Sequence, residues 1–425
     1  MHIWLITIGE PLPTDNTKSR LLRTGILANL LVEKGHQVIW WTSTFDHTQK
    51  KHRFNEDTYI RIKDTFKINL LHSLGYKSNI SLTRILDHTR IAQKFKKLSE
   101  AEPKPDIILC SLPTLELSLA ATEYGRKKHI PVILDVRDLW PDIFVELAPK
   151  WMQGVTKLLL LPMFNTVRSA CTKSTAISGI TSAFVDWGVN YANRERSELD
   201  RDFPLGYSEV TPTKEAIEAA EKFWHQQGIR PRNNEFIACF FGTIGHQFEL
   251  ETVIQSAKKL AQINRPIRFV LCGRGDNLTF YQDLARGCNN IIFPGWVGAS
   301  EIWTLMRMSS IGLAPYRNRK DFCASLPNKS IEYLSAGLPI VSSLQGTLEN
   351  LLSNYNCGIT YDNNDPDNLA SILINLYECP EQLQILSQNA STLYKGMFVA
   401  EKVYENMIDY LKLVCQSINP TRTCQ

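Results

Sequence analysis

The sequence predicts an α/β chain built from two doubly wound parallel-sheet domains that face each other across a cleft. Three observations predict it. The 425 residues exceed what one ordinary hydrophobic core fills. Short apolar runs alternate with amphipathic stretches of helical period through most of the chain. That alternation fades once, near residues 190–207, and then begins again.

In the first half, residues 2–8 read as a strand, followed by a loop with Gly9, Pro11 and Pro13. Leu22, Ile26, Leu27, Leu30 and Leu31 recur at helical spacing, so a helix is expected over 19–34, with Gly35 at its C′ position. A strand over 37–42 completes a β-loop-α-β unit. Further strands are expected over 106–110, 131–135 and 173–177, and helices over 82–99, 115–127 and 181–187. The polar, turn-rich stretch 190–207 reads as a linker. In the second half, strands are expected over 235–241, 267–272, 290–293, 310–314 and 339–343. Helices are expected over 214–227, 250–260, 278–286, 300–308 and 326–336, then over 366–376, 380–393 and 400–416.

Composition narrows the function. Apolar residues make up 44% and charged residues 21%, as in an ordinary globular protein. A formal charge of +4 is too small to imply nucleic acid as a partner. The charge is unevenly placed, however: residues 50–104 hold 13 Lys and Arg against 6 Asp and Glu. Such a stretch is either a solvated face or a surface for anionic lipid or phosphate, so a peripheral place at a membrane is one expectation. The ten cysteines form no zinc-spaced cluster, and most lie in apolar runs, which suggests a reducing, cytoplasmic compartment. The apolar start at residues 3–8 is too short for a signal peptide. No stretch reaches the roughly 20 apolar residues of a membrane span. The longest apolar run, 158–164, reads as core, with a membrane-touching surface as the alternative.

Ligands of such sheets sit at the carboxyl ends of strands and at helix N-termini. Ser325-Leu326-Pro327-Asn328-Lys329 opens a helix there, with Ser325 as the expected N-cap and Pro327 in the first turn. Lys329 and Glu332 share a face, suited to a diphosphate and ribose hydroxyls or, alternatively, to a surface ion pair. Gly242 and Gly245 follow one strand and Arg274 another, as ligand contacts or, alternatively, as a tight turn and a solvated loop residue. Trp296 and Val297 are candidates to border a base pocket, a buried tryptophan being the alternative. In the first half, Asp135-Val-Arg137-Asp138 ends an apolar strand. Asp138 is a candidate for contact with substrate, and an internal Asp–Arg pair is the alternative. Asn16, Lys18 and Arg20 lie in the first glycine-containing loop. There is no nucleophile elbow, no His-Glu-x-x-His, no Walker sequence and no Asp-x-Asp.

Together these segments resemble family 4 of the retaining glycosyltransferases, and within it a bacterial subgroup that builds O-antigen and capsule repeats, including fucosamine transferases. The likeness runs through the Gly35-His36 ending, the Asp135–Asp142 block, Gly242–Gly245, Gly273-Arg274-Gly275, Phe293-Pro-Gly295, Ala314-Pro-Tyr316 and the Pro327–Ile340 block. The resemblance implies the GT-B architecture: two facing Rossmann-like domains, an acceptor-side domain over 1–205 and a donor-binding domain over 206–398. A final helix, 399–418, packs back on the first domain. It implies transfer of a sugar, with retention, from a nucleotide diphosphate donor, UDP being preferred, to a hydroxyl of a saccharide or lipid-linked saccharide. No cofactor and no metal are expected. Asp138 and Arg137 are carried over as catalytic positions. Gly242, Gly245, Arg274, Val297, Arg317, Ser325, Leu326, Pro327, Asn328, Lys329 and Glu332 are carried over as donor-binding positions. Arg20 is a further phosphate contact from the first domain. Two departures stand out. The first of the family's two glutamates falls on Ala324, and its Arg/Lys pair falls on Thr243 and Phe248. A UDP-sugar 2-epimerase and a non-catalytic nucleotide-sugar-binding protein are the rival readings.

Overall fold

The computed structural model describes residues 1–15, 20–230 and 235–418. The chain divides into two compact units, 1–206 with 400–425, and 207–399.

The strands of the first unit are β1 (His2–Ile6), β2 (Gln37–Ser43), β3 (Phe45–Asp46), β4 (Lys51–His52), β5 (Thr58–Lys63), β6 (Phe66–Leu71), β7 (Ile107–Leu112), β8 (Val132–Val136), β9 (Ala176–Gly179) and β10 (Arg201–Asp202). Eight of them form one sheet in the order β10-β9-β8-β7-β1-β2-β6-β5. All pairs are parallel except β5 with β6. β1, β7 and β8 are almost continuously apolar and buried because helices cover both faces of a parallel sheet. Residues 58–71 form the hairpin β5–β6, for which no strand is expected from the sequence. It includes strand β5, whose side chains alternate between half-buried and exposed, the period of a one-faced edge strand.

The C-terminal helix Ala400–Ile418 is part of this unit. Its stripe Val403, Tyr404, Met407, Ile408, Leu411, Val414 joins the core of Ile3, Leu27, Leu31 and Val38. The stretch 190–207 is not a linker. The helix Ser182–Ala192 runs into it, and β10 adds to β9. Buried Asp200 accepts from the Ile177 and Ser197 amides and pairs with Arg194, so the polar residues complete the first unit's own backbone bonds.

The second unit has β11 (Phe236–Phe241), β12 (Ile267–Cys272), β13 (Ile291–Gly295), β14 (Ile311–Ala314), β15 (Ile340–Ser342) and β16 (Gly358–Thr360). They form a fully parallel sheet in the order β13-β12-β11-β14-β15-β16. The order reverses between β11 and β14, and loops at the carboxyl ends beside that point are where an open α/β sheet takes ligands.

Candidate nucleotide site in the second unit

Three loops leave the carboxyl ends of β11, β12 and β13 and are bonded to one another through their backbones. Gly242 N–H donates to Cys272 O at 3.1 Å, Ile244 N–H to Arg274 O at 2.9 Å, and Gly273 N–H to Gly295 O at 2.7 Å. The packing leaves no room for side chains. A Cβ on Gly273 would lie 1.8 Å from Gly242 O, at a φ of +147°. These loops enclose a cavity of about 320 Å³ whose lining includes Gly242, Thr243, Arg274, Trp296 and Val297. Four of these were singled out in the sequence. Thr243 was legible only as the position of a missing basic residue.

The helix at the site is Asn328–Ser335, preceded by the short helix Lys320–Ala324. Ser325 therefore ends the earlier helix and does not cap the later one. Pro327 is the N-cap, in extended conformation and without a side-chain bond. A proline suits that place because its missing N–H needs no acceptor. Leu326 and Pro327 are buried, and Asn328 is exposed.

Lys329 is buried, which corrects the surface ion pair as its alternative reading. Its Nζ lies 4.1 Å from the centre of the Phe240 ring and about as close to those of Phe248 and Phe241, at 4.9 and 5.0 Å. A Cβ on Gly242 would meet the same ammonium at 2.5 Å, so glycine is what lets the lysine reach the loop. Among the described residues no acceptor hydrogen-bonds this ammonium. Burial pushes its pKa down to about 8, against a partial opposing pull from Glu332. A buried cation held by rings rather than by a carboxylate remains available to an anion. Glu332 is half-buried one turn further along. Arg317 is exposed on the loop after β14, and its amide donates to Gln247 O in the glycine loop after β11.

In the first unit, β8 ends in a buried charge network. Asp135 accepts from Arg23, Ser178 and Arg137, and Arg137 also donates to Glu10 and Thr24. Burial raises the Asp135 pKa, but the two guanidiniums and their hydrogen bonds outweigh it and hold the carboxyl below its usual range. All three nitrogens of Arg137 have protein acceptors: Asp135, Glu10 and Thr24. Asp138 is exposed just past the strand and feels the charge of Arg84, whose guanidinium lies 4.4 Å from the centre of the Trp140 ring. Arg20 is exposed ahead of the helix Arg23–Glu33, and Asn16 and Lys18 lie outside the described residues.

The sheets and their carboxyl-end loops define the GT-B fold of glycosyltransferases. Residues 222–393, most of the second unit, match the sequence model of the family "Glycosyl transferases group 1". Sucrose-phosphate synthase from Thermosynechococcus elongatus superposes with a TM-score of 0.70 at 14% identity, covering 98% of this chain and 99% of that one. The Anabaena protein HepE, solved with UDP-glucose, gives 0.62 at 14% identity over 97% of this chain and 100% of its own. An uncharacterized glycosyltransferase of Methanocaldococcus jannaschii is 24% identical over 226 residues, 52% of this chain and 54% of the relative. The matched segment thus spans about half the length of that curated relative. The family match thus lies in the second unit, and the two solved structures share the fold.

Proposed function

We propose that the chain is a retaining glycosyltransferase that moves a sugar from a UDP-sugar to a hydroxyl of a saccharide or lipid-linked saccharide, in the assembly of a bacterial surface polysaccharide. The observation that carries the reading is Lys329. A lysine buried over three aromatic rings, without a carboxylate partner and at a helix N-terminus, is a site waiting for a diphosphate. HepE, of the same fold, was solved with UDP.

As the bond from the anomeric carbon to the diphosphate breaks, negative charge grows on the leaving group. Lys329 and the first amides of the helix at Asn328 stabilise it most when it is fully formed, which is what accelerates the step. Arg317 adds positive charge in place of the pair missing at Thr243 and Phe248. Glu332 accepts from the ribose hydroxyls, and the pocket at Val297 and Trp296 takes the base. Asp138 orients the acceptor or the transferred sugar. No metal takes part, so activity survives a chelator.

The first test is thermal stabilisation by UDP, GDP, ADP, CMP and NAD in wild type, Lys329→Ala and Glu332→Ala. A shift selective for UDP and lost in both variants is the expected result. A shift with NAD alone, or a UDP shift indifferent to both changes, would sink the assignment. Epimerised UDP-sugar appearing without acceptor would make the chain an epimerase. UDP binding with no turnover against any acceptor would make it a binding protein.

A further inference from the structure

The first unit carries an apolar surface that the chain itself leaves uncovered. The helices Asp142–Leu147 and Gln153–Leu159 and the 3-10 turn Lys150–Met152 between them contain no buried residue. Trp151 is 82% exposed, Leu159 74% and Leu158 64%. Scattered exposed leucines are ordinary, whereas a run of them on consecutive turns is not. The segment 158–164, read from sequence as core, thus has Leu158, Leu159 and Leu161 facing out.

A second strip meets the first. Ile80, just ahead of the helix Leu82–Leu98, and Leu82, its first residue, are 65% and 79% exposed. They share with Phe144, Leu160 and Met163 an apolar cavity of about 380 Å³. The cavity joins the two strips through Phe144, Thr156 and Leu160.

Charge identifies what covers this face. Residues 148–175 contain no Asp or Glu and carry Lys150, Lys157, Arg168 and Lys173, and residues 71–86 contain none and carry Lys77 and Arg84. The acidic residues at the margin are Asp142 and Glu146 on the first helix and Glu116 in the cavity wall. Lys150 and Lys157, which flank the exposed apolar residues, form no ion pair among the described residues. Outside that strip, Arg53, Lys67, Lys94 and Lys96 of the basic stretch 50–104 are paired with Asp15, Glu102, Asp57 and Glu123. Trp40 and Trp41, beside that stretch in sequence, are buried in the core.

We infer that the face formed by residues 80–86 and 147–161 docks on a bilayer leaflet rich in anionic lipid. Leucine and tryptophan side chains enter the boundary between head groups and acyl chains, where tryptophan is at home. Lys150 and Lys157 lay their stems along the apolar surface and their ammonium groups on lipid phosphates. No helix among the described residues is long and apolar enough to cross the membrane, so the contact is peripheral. The contact needs no donor and no catalysis, so it stands or falls separately from the proposed reaction.

Flotation of the full chain with vesicles tests it. Wild type is compared on phosphatidylglycerol/phosphatidylethanolamine and on phosphatidylcholine vesicles, beside two variants. One is Trp151→Ser with Leu158→Ser and Leu159→Ser; the other is Lys150→Gln with Lys157→Gln. Wild type is expected to float with anionic vesicles at least tenfold better than with neutral ones. Both variants lose at least tenfold, while their melting temperature and UDP-induced shift stay at the wild-type values. Those two readouts separate a docking defect from misfolding and from failure of the nucleotide site. Wild type staying in solution overturns the inference, as does equal flotation of all three proteins. So does a wild-type dimer, seen by light scattering, that the triple serine variant dissociates while neither protein binds vesicles. That last outcome would assign the face to a second copy of the chain.

Discussion

At the scale of the residue, Lys329 is a cation held where water would ordinarily solvate it. Its pKa falls from 10.5 to about 8, which corresponds to about 3 kcal/mol of disfavoured charge in the ligand-free protein. The sign follows directly. Between pH 8 and 10.5 the unfolded chain binds more protons here than the native one, so this position makes stability rise with pH across that window. Urea unfolding of wild type and Lys329→Met should show the variant more stable by about 1–3 kcal/mol at pH 7, with the gap closing toward pH 10.5. A gap that is independent of pH would refute a titrating lysine. Nucleotide affinity should move the other way. A bound diphosphate favours the charged lysine, so UDP binding is expected to weaken as pH rises through 8, and calorimetry in buffers of different ionisation heat should detect proton uptake. Gly273 makes a second, steric prediction. Gly273→Ala places a Cβ against Gly242 O and forces two loops apart. The expected result is a folded protein that has lost its UDP-induced thermal shift.

At the scale of the element, β8 ends on charges that the unit must neutralise internally. Arg23 and Asp135 are almost wholly buried and bonded to each other, and Arg23 also donates to the Phe203 and Pro204 carbonyls, tying the start of its helix to the end of the unit. Removing one partner leaves the other charged and dry. Asp135→Ala should cost about 3–5 kcal/mol in denaturant unfolding. The double change Arg23→Met with Asp135→Leu should recover part of that loss, because it removes both charges. Equal losses in the single and double variants would show that packing, not charge, governs the site.

At the scale of the whole molecule, the chain crosses between its units twice, at 206/207 and again at 399/400. The last helix therefore stabilises the unit that the first residues begin. Leu411 is fully buried in that core. Calorimetry of a chain with two compact units is expected to show two transitions. Leu411→Asp should lower the one belonging to residues 1–206, and UDP should raise the other. If both ligand and mutation moved the same transition equally, the units would not unfold separately.

Much of this was legible in the sequence, for local reasons. Apolar runs such as Ile267–Cys272 are strands bounded by polar residues and glycine, and a buried parallel strand needs nothing else to declare itself. Glycines after those strands announced the loops because only glycine tolerates close backbone approach. What local pattern misread was residues whose role is set by distant partners. Ser325 has the chemistry of a cap, but the helix Lys320–Ala324 occupies the chain just before it. The stretch 190–207 has the composition of a linker, yet Asp200 satisfies amides of the strand it joins. The run 158–164 has the composition of core, yet Leu158, Leu159 and Leu161 face outward. By itself the sequence determined the order of the central strands and most of the helices between them, since hydrophobic period is a property of neighbours along the chain. Tertiary structure alone decided that Lys329 is buried over aromatic rings and Arg137 locked in an ion pair, because burial and charge pairing depend on residues up to 127 positions away.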